Sequence, residues 1–277
     1  MVLSICLDFV FVLLYFMDTP KKRNSVTFDE TTLKRSKQEP DQPVDPDEMT
    51  LRGDQRTSVD FWLVMGGPNR GKSHLMRWKI VEGFLAGKWE YIVILSPTKH
   101  NGDFAFIQPQ DMIWDDPRKF EFAVQKLLEN QRMIANKVGM QNVPRCLLLI
   151  DDPLGSINWH KAIWEQLVST YRQYMIDIMI GTQYMARLPL HFFAMASKGA
   201  IFKMDLMQDV DKVWGRWLAA CGLPIKSSKE LMDYMNEKMP INARKYLEID
   251  RNPKATVPVK LTKAPPKEQF DQIKIQL

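Results

Sequence analysis

Five short, predominantly apolar runs divide this chain: Phe61 to Met65, Tyr91 to Leu95, Cys146 to Ile150, Ile176 to Ile180 and Ala200 to Phe202. Each has strand length; the unbroken run Phe61 to Met65 predicts a strand covered on both faces, and Cys146 to Ile150 a central parallel strand. Between them the period changes. Leu75, Met76, Ile80, Val81, Phe84 and Leu85 recur at helical spacing, with His74, Arg77, Lys79 and Glu82 at the wetter positions. Phe120, Val124, Leu127, Leu128 and Ile134 mark a longer amphipathic helix that ends near Gly139. Strands alternating with helices predict an α/β protein, a mainly parallel sheet of five or more strands flanked by helices.

The pattern is weaker outside this core. Val213, Trp214, Trp217 and Leu218 predict the apolar face of a further helix, and Leu231, Met232 and Met235 that of another. After Asn252 the chain, with Lys254, Lys260, Lys263, Pro265, Pro266 and Lys267, reads as extended and basic. From Asp18 to about Asp54 charge, Pro and Thr dominate and large apolar residues are few, which predicts disorder. Three parts result: residues 1–57, a core over 58–205, and a helical and extended C-terminal extension over 206–277.

The first strand-to-helix turn carries the chemistry. Gly66-Gly67-Pro68-Asn69-Arg70-Gly71-Lys72-Ser73 spells G-x-x-x-x-G-K-[ST], between an apolar strand and an amphipathic helix, which is the setting that motif requires. Glycines let the backbone wrap a polyphosphate, and loop amides with the positive end of the helix attract its oxygens. Lys72 is expected at the β- and γ-phosphates of ATP and Ser73 on Mg²⁺, with His74 completing the nucleotide-binding stretch. The metal needs an acidic partner at the end of another buried strand. Asp151 and Asp152 emerge together after Cys146-Leu147-Leu148-Leu149-Ile150. We assign Asp151 to Mg²⁺ and Asp152 to polarising the attacking water; Asp152 is one methylene shorter than the Glu common at that place. If the strand ending at Gln183 lies between the acidic strand and the loop strand, Gln183 points at the γ-phosphate and senses its loss. Otherwise it is an exposed Gln after a core strand.

These motifs, with Ser96-Pro97-Thr98 and Thr182-Gln183 followed by Leu188-Pro189, resemble the FtsK/HerA-type genome-packaging ATPases of eukaryotic DNA viruses, including those of poxviruses and Polinton-like elements. The resemblance covers about residues 58 to 205. It implies a P-loop ATPase core, a ring of five or six subunits, double-stranded DNA as the polymer moved, and a capsid vertex or portal protein as docking partner. The sequence departs from that pattern at two places. Arg172 is followed by Gln173 where relatives have His, and no arginine stands in His191-Phe192-Phe193-Ala194-Met195, where relatives place one that acts on a neighbour's nucleotide. Arg172, Arg187 and Lys198 are the substitutes to test.

Net charge is +5, a modest excess that favours phosphate backbones. The three cysteines, Cys6, Cys146 and Cys221, and four histidines lack disulfide or zinc spacing, which fits a reducing intracellular setting and not a secreted one. Residues 1–16 are apolar, but Asp8 interrupts them and they are short for a membrane span, so no stable span is expected. Met17 reads like the natural start, with residues 1–16 expected as an upstream extension. Lys21-Lys22-Arg23 and Lys34-Arg35-Ser36-Lys37 have the spacing of a bipartite nuclear import signal; taken with the resemblance, this implies a host nucleus or virion as the expected setting. Two alternatives share the nucleotide chemistry. A viral helicase is one. A GTPase-like switch is the other, suggested by Asp152-Pro153-Leu154-Gly155 and Asn136-Lys137, although that pair precedes the acidic strand.

Overall fold

The computed structural model describes residues 26–28, 59–108, 110–153, 157–220, 225–240, 243–251, 259–264 and 273–276. The expectations for residues 1–16, the start at Met17, the acidic and basic segment after it, both basic clusters, Cys6, Cys221, Leu154, Gly155 and the tail positions Lys254, Pro265, Pro266 and Lys267 lie outside the described residues.

The five expected strands all form. They are β1 (Phe61–Met65), β2 (Tyr91–Leu95), β4 (Cys146–Asp151), β5 (Ile176–Thr182) and β6 (Lys198–Phe202), joined by a short edge strand, β3 (Ile113–Trp114). The C-terminal third supplies helices α5 (Met207–Arg216) and α6 (Ser228–Lys238), then β7 (Lys245–Asp250) and β8 (Val259–Lys263). All eight belong to one sheet in the order β8-β7-β6-β1-β5-β4-β2-β3. The six strands from β6 to β3 run parallel; β7 and β8 pair antiparallel at the other edge.

Both faces of the parallel strands are covered, which is why their sequences are apolar without alternation. Successive side chains still go to opposite faces. Phe61, Leu63 and Met65 face α2 (Pro117–Val138), α3 (Ala162–Thr170), α4 (Leu190–Met195) and α5. Trp62 and Val64 face α1 (Lys72–Leu85) through Leu75, Met76, Ile80, Val81 and Phe84. A small second sheet, Val26–Phe28 with Ile273–Gln276 and Ile107–Gln108, adds Ile107 and Ile275 to that layer. Local signals set the helix ends. Asp116 caps α2 by accepting from the Arg118 amide at 2.9 Å, Pro117 opens the helix, and Gly139 closes it with φ 84°. α5 stops at Arg216, so Trp217 follows the helix and packs under Gly199, whose missing Cβ leaves room for the indole.

At the strands' N-terminal end Asp177 joins neighbouring elements. Its carboxylate accepts from the Asp60 amide (2.7 Å), Trp89 Nε1 (2.7 Å) and Arg145 Nη2 (2.9 Å), with Lys88 at 3.4 Å. Asp60 in turn pairs with Lys88 at 2.9 Å and Lys198 at 3.3 Å. Cys146 is a free thiol buried in β4, its pKa pushed up by that burial. No helix among the described residues is long and apolar enough to cross a membrane.

Candidate functional site: a phosphate cradle facing two acids

In the sheet order β5 lies between the acidic strand β4 and the loop strand β1. Register brings Met65 beside Thr182 and Asp151 beside Gly181, so residues leaving the C-terminal ends of all three strands share one edge. Open parallel sheets gather ligands there.

The loop Gly66 to Gly71 turns from β1 into α1 over a fixed floor. A Cβ on Gly66, at φ 154°, would stand 2.6 Å from Phe202 Cβ, and Gly71 caps α1 at φ 104°, where a side chain is strained. The Gly67 amide donates to Lys203 O at 3.1 Å, tying the loop to the end of β6. Pro68 and Asn69 are exposed at the tip, and Asn69 adopts φ 56°. Lys72 is only 5% exposed and its ammonium donates back to Gly67 O at 2.8 Å. Burial lowers its pKa, and Arg70 adds to that; Asp152 and Asp151 oppose it. His74 sits buried in the first turn of α1.

Ser73 Oγ donates to Asp151 Oδ1 at 3.0 Å across 78 positions of sequence. Burial raises the Asp151 carboxyl to about 6 despite the Ser73 hydroxyl, with repulsion from Asp152 and Asp103 adding to the rise. Gly181 makes this contact possible, since a Cβ there would lie 2.5 Å from Met76 Sδ and 3.2 Å from Asp151 Oδ1. Asp152 leaves the strand at φ 42°, an uncommon conformation for a side-chain-bearing residue and one that clusters at functional sites. Gln183 Nε2 donates to Asp152 Oδ2, while Asp152 Oδ1 is buried with no hydrogen-bond partner.

Two residues near this edge were not expected. Asp103, after β2, accepts from Thr98 Oγ1 at 3.1 Å and lies 3.6 Å from Arg77 Nη1 of α1, so it adds negative charge beside Asp151. Thr98 also meets Ser96 at 3.1 Å, giving the Ser-Pro-Thr turn a place in this network. Asp205, after β6, accepts from Arg70 Nη2 at 2.6 Å. Neither belongs to a recognisable motif.

The three substitute cations separate. Arg172 precedes β5 and Lys198 opens β6, so both stand at the opposite end of the sheet from the loop. Arg172 donates to Tyr171 OH at 2.8 Å, and Lys198 pairs with Asp60 and lies 5.7 Å from the centre of the Trp62 ring. Arg187 follows β5 at the loop end, exposed and 5.2 Å from the centre of the Tyr184 ring. Asn136-Lys137 closes α2, which runs back against the strands, so that pair is also at the far end, away from any base bound at the loop.

For Mg²⁺, a hydroxyl beside an ionisable carboxylate is an oxygen donor set of the right kind. This ion keeps waters and shares substrate phosphates, so it does not require the cluster of three or more His, Cys, Asp or Glu that is absent among the described residues.

No family model matches this sequence, and no curated protein does. Solved structures share its fold. Genome packaging NTPase B204 from Sulfolobus turreted icosahedral virus 2, in complex with AMPPCP, matches over 75% of this chain and 98% of its own at 16% identity and a TM-score of 0.52. B204, the DNA-packaging ATPase from Sulfolobus Turreted Icosahedral Virus, matches over the same shares at 17% identity and a TM-score of 0.52. The pCW3 conjugation coupling protein TcpA with ATPγS matches over 74% of this chain and 60% of its own, at 11% identity and a TM-score of 0.50.

Proposed function

We propose that this chain hydrolyses Mg·ATP and uses the energy to move double-stranded DNA, as the motor that packages a viral genome into a capsid. The observation that carries the ATPase reading is the Ser73–Asp151 hydrogen bond, which closes the phosphate loop against the acidic strand. Lys72 and the loop amides would hold the β- and γ-phosphates. Their positive charge stands where negative charge spreads over the transferring phosphoryl group. Ser73 and Asp151 would hold Mg²⁺, which supplies charge neutralisation at the phosphates. Asp152 has one oxygen held by Gln183 and one buried without a partner, and the second would accept a hydrogen bond from the attacking water once nucleotide binding admits it. Gln183, just after the strand between the two motifs, would respond to the γ-phosphate. Arg187 is the cation best placed to reach a nucleotide on a neighbouring copy in a ring.

The DNA and packaging parts of this reading draw on the motif resemblance and on a fold shared with B204, whose structures are of a genome packaging NTPase. A capsid vertex or portal protein is the proposed docking partner and a host nucleus or virion the proposed site of action. The test is ATP turnover with and without double-stranded DNA, measured with the native mass. We expect an oligomer whose turnover rises with duplex and disappears in Lys72→Ala. Turnover unchanged in Lys72→Ala would overturn the site assignment, and turnover indifferent to duplex would overturn the motor.

A further inference from the structure

Arg70 stands inside the phosphate loop, two residues before Lys72, yet its guanidinium is bound elsewhere. Nη2 donates to Asp205 at 2.6 Å, in the segment between β6 and α5. The Arg70 side chain is only 12% exposed, against 48% for Asp205, and Arg70 Nε is buried with no acceptor. Lys203, Arg244 and Lys245 line the same cleft, so the guanidinium sits among like charges and Asp205 supplies the compensating one. A buried donor without an acceptor is unfavourable, because it has given up its water without a replacement. A phosphate group accepts two guanidinium hydrogen bonds at once and carries more charge than a carboxylate.

We propose that Arg70 is a phosphate ligand held in reserve: Asp205 holds its guanidinium in this structure, and an incoming polyphosphate takes the guanidinium from Asp205. This rests on the reading above that the loop binds a nucleoside triphosphate. The backbone favours a side-chain exchange over a loop rearrangement. Gly67 is tied to Lys203 O, and Phe202 fills the space beneath Gly66. Asp205 is therefore a competitor of the nucleotide. Exchange also frees its carboxylate two residues before α5 begins at Met207.

The test is a double-mutant cycle on the full chain, with affinity for AMPPCP read by calorimetry and repeated with inorganic tripolyphosphate. Asp205→Asn should bind both probes roughly two- to fivefold tighter, the scale of a partly exposed ion pair. Arg70→Met should bind both more weakly, and Asp205→Asn should add nothing in the Arg70→Met background. Asp205→Ser should act like Asp205→Asn, which separates loss of the carboxylate from a local defect of one variant. Equal or weaker binding by both Asp205 variants, a gain that survives without Arg70, or a gain confined to AMPPCP overturns the exchange. Failure of the unaltered protein to bind either probe would instead overturn the nucleotide site itself.

Discussion

Asp151 bears two opposed demands. Burial holds its carboxyl at about 6, so the ionised form that a metal needs is costly in the empty protein. Because the folded value lies above the ordinary 3.8, the folded state binds more protons than the unfolded state between about pH 4 and 6. Stability of the nucleotide-free protein should therefore fall as pH rises through that window. At about 1.4 kcal/mol for each pH unit of separation, the loss is about 3 kcal/mol at most. Asp151→Asn should flatten this dependence and raise the melting temperature above pH 6, while abolishing hydrolysis; equal pH profiles of melting for the two proteins would remove the explanation. Affinity for Mg·ATP should decline below about pH 6, as the carboxyl takes up its proton. Lys72 follows the same logic with opposite charge: burial disfavours its ammonium, and under the proposed function a polyphosphate would offset that cost.

Among elements, the three strands that form the site are also tied at their far end. Asp177 of β5 accepts from the residue before β1, from the residue before β4 and from Trp89 before β2. Replacing it with Ala removes the carboxylate that the partly buried Arg145 binds and leaves Lys88 to Asp60 alone, and we expect a loss of about 3–5 kcal/mol in denaturant unfolding. A loss under about 1 kcal/mol would mean that solvent or Asp60 replaces it. This residue also marks the limit of what the chain discloses. The meeting of the glycine-rich loop with Asp151 was legible because its signals are local, a glycine-rich turn after one apolar run and a carboxylate at the end of another. Asp177 left only a charge interrupting such a run, and Asp103 and Asp205 left no signal, since their partners are set by tertiary contact; Asp205 is 135 residues from Arg70. The same holds for strands. β3 is two residues long, β8 is mostly exposed, and β7 interleaves Tyr246, Leu247 and Ile249 with charge, so none presents the apolar run that identified the other five. The position of β5 between β4 and β1 was stated as a condition, and the sheet order meets it.

For the whole molecule, the proposed motor requires that subunits act on one another. Arg187 stands exposed at the loop end of the sheet, whereas Arg172 and Lys198 stand at the other end and Lys198 is paired inside. Arg187→Ala should lower turnover by roughly 10³-fold if its charge acts on a neighbour's phosphates. Mixed with an inactive Asp152→Asn protein it should regain activity, because some interfaces in a mixed ring combine an intact arginine with an intact acid. No recovery on mixing would assign Arg187 to its own subunit or to no catalytic role. The most direct measurement of the central claim is displacement of a triplex-forming oligonucleotide from duplex DNA. With Mg·ATP the protein should shed the third strand while leaving the duplex paired, and Lys72→Ala should shed none. Separation of the duplex strands, or no displacement from an oligomer that hydrolyses ATP, would contradict a motor that travels on double-stranded DNA.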